Sequence, residues 1–328
     1  MPNRQPSSPR HAASSFHSPK RTYSVNPVVA IVGPTAVGKS DLAIRVAQDL
    51  YAEIVNADSR QVYRYMDIGT SKPDLTERAL VPHHVIDVVD PDEDFNLAAY
   101  LHLAREAIAS IREQGRLALL VGGTGLYIWS VLEGWSLPRV PPNHQLRNEL
   151  EARARAEGEH ALYRELREID SQAANRIHPR NVRRVIRALE IYHATKQPPS
   201  LLLWRSEGPG FPALIIGLTL QRSELYRRID RRIDRMMELG LVEEVNGLLG
   251  RGYGSSLPCM SGIGYKQIGQ FLQGEMDIAC AIEQMRFASH RMARHQHGWF
   301  RTGDKRICWF DAGGGKVAQE VVDLCRSL

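Results

Sequence analysis

Gly33-Pro34-Thr35-Ala36-Val37-Gly38-Lys39-Ser40 decides how the rest of this chain is read. The stretch satisfies the spacing Gly-x-x-x-x-Gly-Lys-Ser/Thr at every position. Two glycines let consecutive backbone N–H groups curl toward phosphate oxygens, and a helix beginning at the loop adds positive potential. Lys39 brings a point charge, and the Ser40 hydroxyl is a ligand type for Mg²⁺. A chance match in a chain of 328 residues is on the order of one in a hundred at ordinary glycine abundance. The flanks agree with the motif. Val28–Val32 is a β-branched apolar run that ends at Gly33, and Asp41–Leu50 places Leu42, Ala43, Val46 and Leu50 on one helical face.

Outward from this loop the same alternation continues. Glu53–Ala57 and Val85–Val89 read as further strands. Asn96 is placed to cap a helix whose apolar positions Leu97, Leu101, Ala104, Ile108 and Ile111 step by four and three, with Gly115 as its C-terminal stop. Leu117–Val121 and Leu214–Leu220 read as buried strands and Ile307–Phe310 as a last strand. Strands alternating with amphipathic helices predict an α/β fold, a P-loop NTPase-like, mainly parallel sheet with helices on both faces. Between Pro138 and Arg205 the strand signal disappears. A charged helical segment bracketed by Pro138, Pro141 and Pro142 at one end and Pro198 and Pro199 at the other reads as a helical insertion domain. The expected organisation is therefore a core of residues 27–137 and 206–328 with an insertion over 138–205.

Composition sets outer bounds. An apolar fraction of 43% suits a globule with a proper core, and no run approaches the roughly eighteen apolar residues of a membrane span. Cys259, Cys280, Cys308 and Cys325 show no Cys-x-x-Cys spacing, which argues for a reducing compartment and against a structural zinc. Residues 1–26 carry Arg4, Arg10, Lys20 and Arg21, many serines and no acid, a composition expected to be disordered and shared with organellar transit peptides. The formal charge of +5 is concentrated. Arg176, Arg180, Arg183, Arg184 and Arg187 crowd the insertion. Arg222, Arg227, Arg228, Arg231, Arg232 and Arg235 crowd one later helix, and Arg286, Arg291, Arg294 and Arg301 another. Any one such cluster is ordinarily a solvated face. Three on one phosphate-binding chain suit a polyanion with single-stranded parts, held by phosphate contacts and stacking.

A phosphate loop names the ligand group and not the reaction. Hydrolases of this class keep an acid at the end of a second apolar strand to help hold the metal. Here Leu117–Val121 runs instead into Gly122-Gly123-Thr124-Gly125-Leu126-Tyr127, and the acid stands elsewhere, at Asp58 beyond Glu53–Ala57. Residues at C-terminal strand ends of an open α/β sheet face the ligand crevice, so Lys39, Asp58 and Thr124 are expected to converge. Asp58 also reads as a helix cap and Thr124 as a turn residue. A P-loop kinase of nucleotides or small metabolites, and a nucleotide-switched RNA-binding protein, both remain open at this level. The second lacks any Asn-Lys-x-Asp base-reading motif.

The motifs together resemble the tRNA dimethylallyltransferase (isopentenyltransferase) family. The resemblance rests on Gly33–Ser40, Asp58–Gln61 with Val62-Tyr63, Met66–Pro73, Gly122–Tyr127, Arg176–Glu190, Arg228–Arg232 and Gly262–Gln267, in that order. It covers about Val28 to Phe310. It implies transfer of a dimethylallyl group from dimethylallyl diphosphate to the exocyclic amine of the adenosine 3′-adjacent to the anticodon of tRNA. It further implies Asp58 as general base, Thr124 on the bridging oxygen of the leaving diphosphate, Arg232 as a neutralising charge, and Gly33, Pro34, Thr35, Ala36, Val37, Gly38, Lys39 and Ser40 as the diphosphate site with Mg²⁺ on Ser40. Contacts to the tRNA anticodon stem-loop are implied for Asp58, Ser59, Arg60 and Gln61, for Arg147, for Arg183, Arg184, Val185, Ile186 and Arg187, for Ser261, Gly262, Ile263, Gly264, Tyr265 and Lys266, and for Arg294, His295, Gln296, His297, Gly298, Trp299, Phe300 and Arg301. The family commonly reads Lys-Arg-Gln, a hydrophobic residue, Thr and Trp along the last element. This chain departs there with Arg294-His295-Gln296-His297-Gly298-Trp299. With no appended zinc finger in the sequence, the resemblance implies a bacterial-type, monomeric cytoplasmic enzyme.

Overall fold

The computed structural model describes residues 27–138, 140–202, 204–205 and 211–327, so the basic extension expected over 1–26 lies outside the described residues. In chain order the elements are β1 (Val28–Val32), α1 (Lys39–Leu50), β2 (Ala52–Asn56), α2 (Leu75–Leu80), β3 (His83–His84), α3 (Leu97–Glu113), β4 (Leu117–Val121), α4 (Gly125–Leu132), β5 (Trp135–Ser136), α5 (His144–Glu157), α6 (Glu159–Ile169), α7 (Ser171–Asn175), α8 (Val182–Thr195), α9 (Pro199–Leu202), β6 (Trp204–Arg205), β7 (Ala213–Thr219), α10 (Arg222–Glu238), α11 (Leu241–Gly250), a 3-10 turn at Cys259–Ser261, α12 (Tyr265–Leu272), α13 (Ile278–Trp299), β8 (Ile307–Asp311) and α14 (Val317–Arg326).

The apolar runs become strands because both faces of the sheet are covered. Every residue of β1, β2 and β4 is buried. The main sheet runs β3-β2-β4-β1-β7-β8 with all neighbours parallel. The chain steps outward from β1 to β2 and β3, returns through β4, then crosses to β7 and β8. The strand order therefore reverses at β1, where a parallel sheet opens its ligand crevice. Helix ends follow the sequence signals. The Asn96 side chain accepts the N–H groups of Ala98 and Ala99 at 2.9 and 3.1 Å, and Gly115, at φ 71°, stops α3.

One expected strand is absent. Val85–Val89 is a bent loop, with Val85 and Asp87 at φ 61° and 54°. Pairing on that edge is limited to β3 and a single bridge between Tyr63 and Val89. Side chains from elsewhere pull the segment out of register. Asn56 Nδ2 donates to the Val85 carbonyl at 3.0 Å, while the Asp87 carboxylate accepts from Lys72 Nζ at 2.6 Å and from Arg78 at 2.7 Å.

A second hydrophobic cluster draws all its members from residues 146–189, among them Leu150, Leu162, Leu166, Val185 and Leu189. The strand signal is not wholly lost between 138 and 205. Trp204–Arg205 pairs antiparallel with Trp135–Ser136, a two-strand ribbon where the chain leaves and rejoins the sheet. No helix among the described residues is long and apolar enough to cross a membrane.

Candidate active site

A cavity of about 1420 Å³ opens over the C-terminal ends of β1, β2 and β4. The loop 33–40 builds one wall in a conformation that only its glycines permit. Gly33 sits at φ 144° and Gly38 at φ 102°, and a Cβ on Gly33 would stand 2.6 Å from the Leu218 carbonyl oxygen. Thr35, Ala36, Gly38, Lys39 and Ser40 line the cavity, whereas Gly33, Pro34 and Val37 are buried behind it. Lys39 Nζ donates to the Pro34 carbonyl at 2.8 Å and makes no salt bridge among the described residues. Burial pulls its pKa down to about 8; Asp58 opposes the shift and Arg232 adds to it.

Arg232, reaching in from α10, is the second cation. Its guanidinium donates to Thr35 Oγ1 at 3.2 Å and to the Thr70 carbonyl at 3.3 Å, both neutral oxygens. Its neighbours on α10 are differently employed: Arg227, Arg228 and Arg231 share Glu224, and Arg235 pairs with Glu238. Burial lowers the Arg232 pKa, opposed by the charge of Asp58. Among the described residues neither desolvated cation has a carboxylate bonded to it, and Asp58 acts on both only through space.

Asp58 and Thr124 complete the floor. The Asp58 N–H donates to Asn56 Oδ1 at 3.0 Å, and its carboxylate Oδ1 accepts the Arg60 N–H at 2.8 Å. Asp58 therefore folds its own tight turn and caps no helix. Oδ2 has no hydrogen bond among the described residues. Buried Asn56, unremarked in the sequence, fixes that turn from below through Nδ2 to the Asp58 carbonyl at 3.1 Å. Thr124 stands at the N-terminus of α4 without capping it; its Oγ1 accepts the Ser59 N–H at 3.1 Å. Gly122 lets β2 and β4 meet here, since a Cβ would lie 2.1 Å from the Ala57 carbonyl oxygen.

The loop 66–73 forms the opposite wall and is held by two charge anchors. Glu244 on α11 accepts the N–H groups of Asp67, Ile68 and Gly69 at 2.9, 2.7 and 3.1 Å and the Tyr265 hydroxyl at 2.6 Å. Buried Lys72 reaches Asp67 and Asp87, each at 2.6 Å. Gln61 Nε2 donates to the carbonyls of Thr70 and Ser71, and Arg60 to those of Pro258 and Cys259 and to Ser261 Oγ.

The structure separates the remaining expected RNA contacts into three groups. Ser59, Arg60, Gln61, Ser261, Gly262, Ile263 and Gln296 line the cavity with Asp58. Arg183, Arg184, Lys266, Arg294, His295, His297, Gly298, Trp299 and Arg301 are exposed outside it. Of the others, Val185, Ile186, Gly264 and Phe300 are corrections. Val185 and Ile186 are 1% and 3% exposed inside the second hydrophobic cluster, and Phe300 is 1% exposed, so none presents a side chain to RNA. Gly264 is buried, whereas Tyr265, 1% exposed, borders the cavity while its hydroxyl donates to Glu244. Arg147 and Arg187 both bond buried Glu190, Arg147 through two contacts of 2.9 Å. Gln296 points inward: its Oε1 accepts the Thr35 N–H at 2.7 Å and its Nε2 donates to the Gly123 carbonyl at 3.0 Å. A partner 261 residues away leaves no local signal.

Which residues could hold a divalent cation follows from the donor set. No group of three His, Cys, Asp or Glu suited to a metal occurs among the described residues. Ser40 contributes a hydroxyl at the cavity, so most ligands would have to come from a phosphate and water, the habit of Mg²⁺.

Comparison with known proteins agrees with this geometry. The family model described as IPP transferase matches residues 61–303, and one described as isopentenyl transferase matches 26–81. A tRNA dimethylallyltransferase of Herpetosiphon aurantiacus is 51% identical over 90% of this chain and 94% of its own length. One from Chloroflexus aurantiacus is 53% identical over 86% and 95%. Among solved structures, the tRNA isopentenylpyrophosphate transferase of Bacillus halodurans is 41% identical with a TM-score of 0.68, covering 92% of this chain and 96% of that one. A eukaryotic dimethylallyltransferase captured acting on tRNA is 28% identical with a TM-score of 0.78, covering 92% and 78%.

Proposed function

This chain belongs to the IPP transferase (tRNA dimethylallyltransferase) family, and from that premise we propose that it moves a dimethylallyl group from dimethylallyl diphosphate to the N6 amine of the adenosine 3′-adjacent to the anticodon of tRNA. The observation that carries the reading is the meeting of Lys39, Arg232, Asp58 and Thr124 around one cavity, with neither cation bonded to a carboxylate among the described residues. Such a site takes up an anion and then a growing negative charge.

The exocyclic amine of adenine is a weak nucleophile because its lone pair is delocalised into the ring. As its nitrogen bonds to the allylic carbon, the bond from that carbon to the diphosphate oxygen breaks, and the amine proton passes to the Asp58 carboxylate. Asn56 fixes the Asp58 backbone and the Arg60 N–H holds its carboxylate in place. Lys39, Arg232, the loop amides and the Thr124 hydroxyl stabilise the charge that collects on the departing diphosphate. Mg²⁺, bound by Ser40 and the diphosphate itself, would supply further charge neutralisation. No water needs activating, which accounts for the missing hydrolase acid after β4. The target base has to leave its stack to reach a strand-end crevice. Exposed Arg183, Arg184, Arg294 and Arg301 are the surface cations we assign to the stem-loop, and a monomer in the cytoplasm suits them.

Asp58→Ala tests the reading. Binding of an anticodon stem-loop should be retained within a few-fold while single-turnover transfer falls ~10³-fold. Unchanged single-turnover rates would remove the base assignment. Rapid consumption of ATP with indifference to allylic donors would favour a kinase.

A further inference from the structure

A second, smaller cavity of about 50 Å³ adjoins the first. Its walls come from two helices. Ile229, Ile233 and Met236 project from α10, and Met285, Ser289 and Met292 from α13, with Ile263 and Gly69 closing the end. Positions spaced by three and four residues along each helix make facing stripes, so the slot follows the line where α10 and α13 pack. Its depth is apolar: Ile229, Ile233 and Met285 are 2%, 3% and 1% exposed, whereas Met292 at the rim is 38% exposed. Thr35, Gly69, Arg232, Met236, Ile263 and Met292 line both cavities, so the slot opens directly beside the guanidinium that spans Thr35 Oγ1 and the Thr70 carbonyl.

We propose that this slot binds the hydrocarbon tail of the allylic diphosphate and sets the chain length accepted. The inference deepens the functional reading above and rests on it. An anion drawn to Arg232 and the loop 33–40 leaves its ester carbon at the slot mouth, where the α10–α13 seam offers a narrow apolar recess directly beside the guanidinium. The volume holds about four water-sized positions, comparable to one five-carbon unit and well short of two. Thioether side chains shape themselves around a branched alkene better than stiffer residues do. A longer chain has to displace Met236, packed at 7% exposure, before it fits.

Steady-state transfer to a stem-loop RNA, with dimethylallyl or geranyl diphosphate as donor and inorganic diphosphate as inhibitor, tests this in the full chain. Ser289→Leu fills the slot and should raise the KM for dimethylallyl diphosphate ~10-fold while leaving inhibition by inorganic diphosphate within two-fold. Met236→Ala with Met292→Ala enlarges it and should shift the ratio of kcat/KM, geranyl over dimethylallyl, at least ~10-fold upward. A donor ratio unmoved by the double variant would overturn the proposal, even if Ser289→Leu fails to fold. So would a Ser289→Leu protein that loses inorganic diphosphate in parallel with the donor, because the slot would then only support the phosphate loop. A wild-type protein that transfers neither chain would instead overturn the functional reading itself.

Discussion

Arginine serves opposite ends in the strand-end cavity and in the helices of residues 144–195. In the cavity, among the described residues, Arg232 hydrogen-bonds two neutral oxygens and Lys39 one carbonyl. Among the helices, Arg147 and Arg187 converge on Glu190, whose side chain is 1% exposed. Glu190 also accepts the Asn143 N–H at 2.7 Å, and Arg187 donates to the Val140 carbonyl at 3.0 Å. Lys39 and Arg232 hydrogen-bond neutral oxygens, with Asp58 acting on them through space, whereas Arg147 and Arg187 are tied to one buried carboxylate that holds the helices together. A directly bonded carboxylate is what separates Arg147 and Arg187 from Arg232.

Four measurements would break or sharpen that contrast. Arg232→Ala should lower kcat by ~10²–10³-fold with little change in the unfolding midpoint, measured by single-turnover kinetics and urea denaturation. A matching loss of stability would place Arg232 with the structural set. Glu190→Ala should show the reverse. It strands two guanidinium groups that are about one-third exposed, and should cost about 2 kcal/mol in urea while leaving inhibition by inorganic diphosphate unaffected. Burial would push the Glu190 carboxyl up, but the Arg147 and Arg187 hydrogen bonds hold it below its ordinary value. Its contribution to stability is therefore present at neutral pH and disappears only as the pH falls through the lowered folded value.

The third measurement is a pH profile. Lys39 loses its proton near pH 8 in the free enzyme, so kcat/KM for the donor should fall toward ~10-fold per unit above that pH. A bound diphosphate favours the charged amine, so kcat should stay flatter over the same range. A parallel decline of both would contradict the assignment of Lys39 to donor binding. The smallest effect belongs to Arg183→Ala. Exposed and outside the cavity, it should weaken stem-loop binding a few-fold and reduce the salt slope by about one, with stability unchanged within ~0.5 kcal/mol.

The legible parts of this molecule are those whose causes are local. Val28–Val32, Leu117–Val121 and the Asn96–Gly115 helix formed as their periodicity and caps require, and the glycine-lysine loop lies between the strand and helix flanking it in sequence. Val85–Val89 misled because β-branched composition was overridden by Asn56, Lys72 and Arg78 acting from other elements. The charge-rich segment 176–190 hid its division of labour for a similar reason. Arg147 lies 43 residues from Glu190, a pairing no local spacing displays. Buried Val185 and Ile186 sit beside exposed Arg183 and Arg184 simply because a helix turns 100° per residue.

The brace formed by Gln296 limits what two positions can become. Asparagine there is one methylene too short to span Thr35 and Gly123. Glutamate keeps the reach but sets an oxygen against the Gly123 carbonyl, where a donor is needed. Conversely, any side chain at 123 would begin 2.3 Å from Nε2 and evict the glutamine. The two sites are thus coupled: a side chain at 123 displaces the flexible end of Gln296, so once that brace is lost a second change at 296 should cost little more.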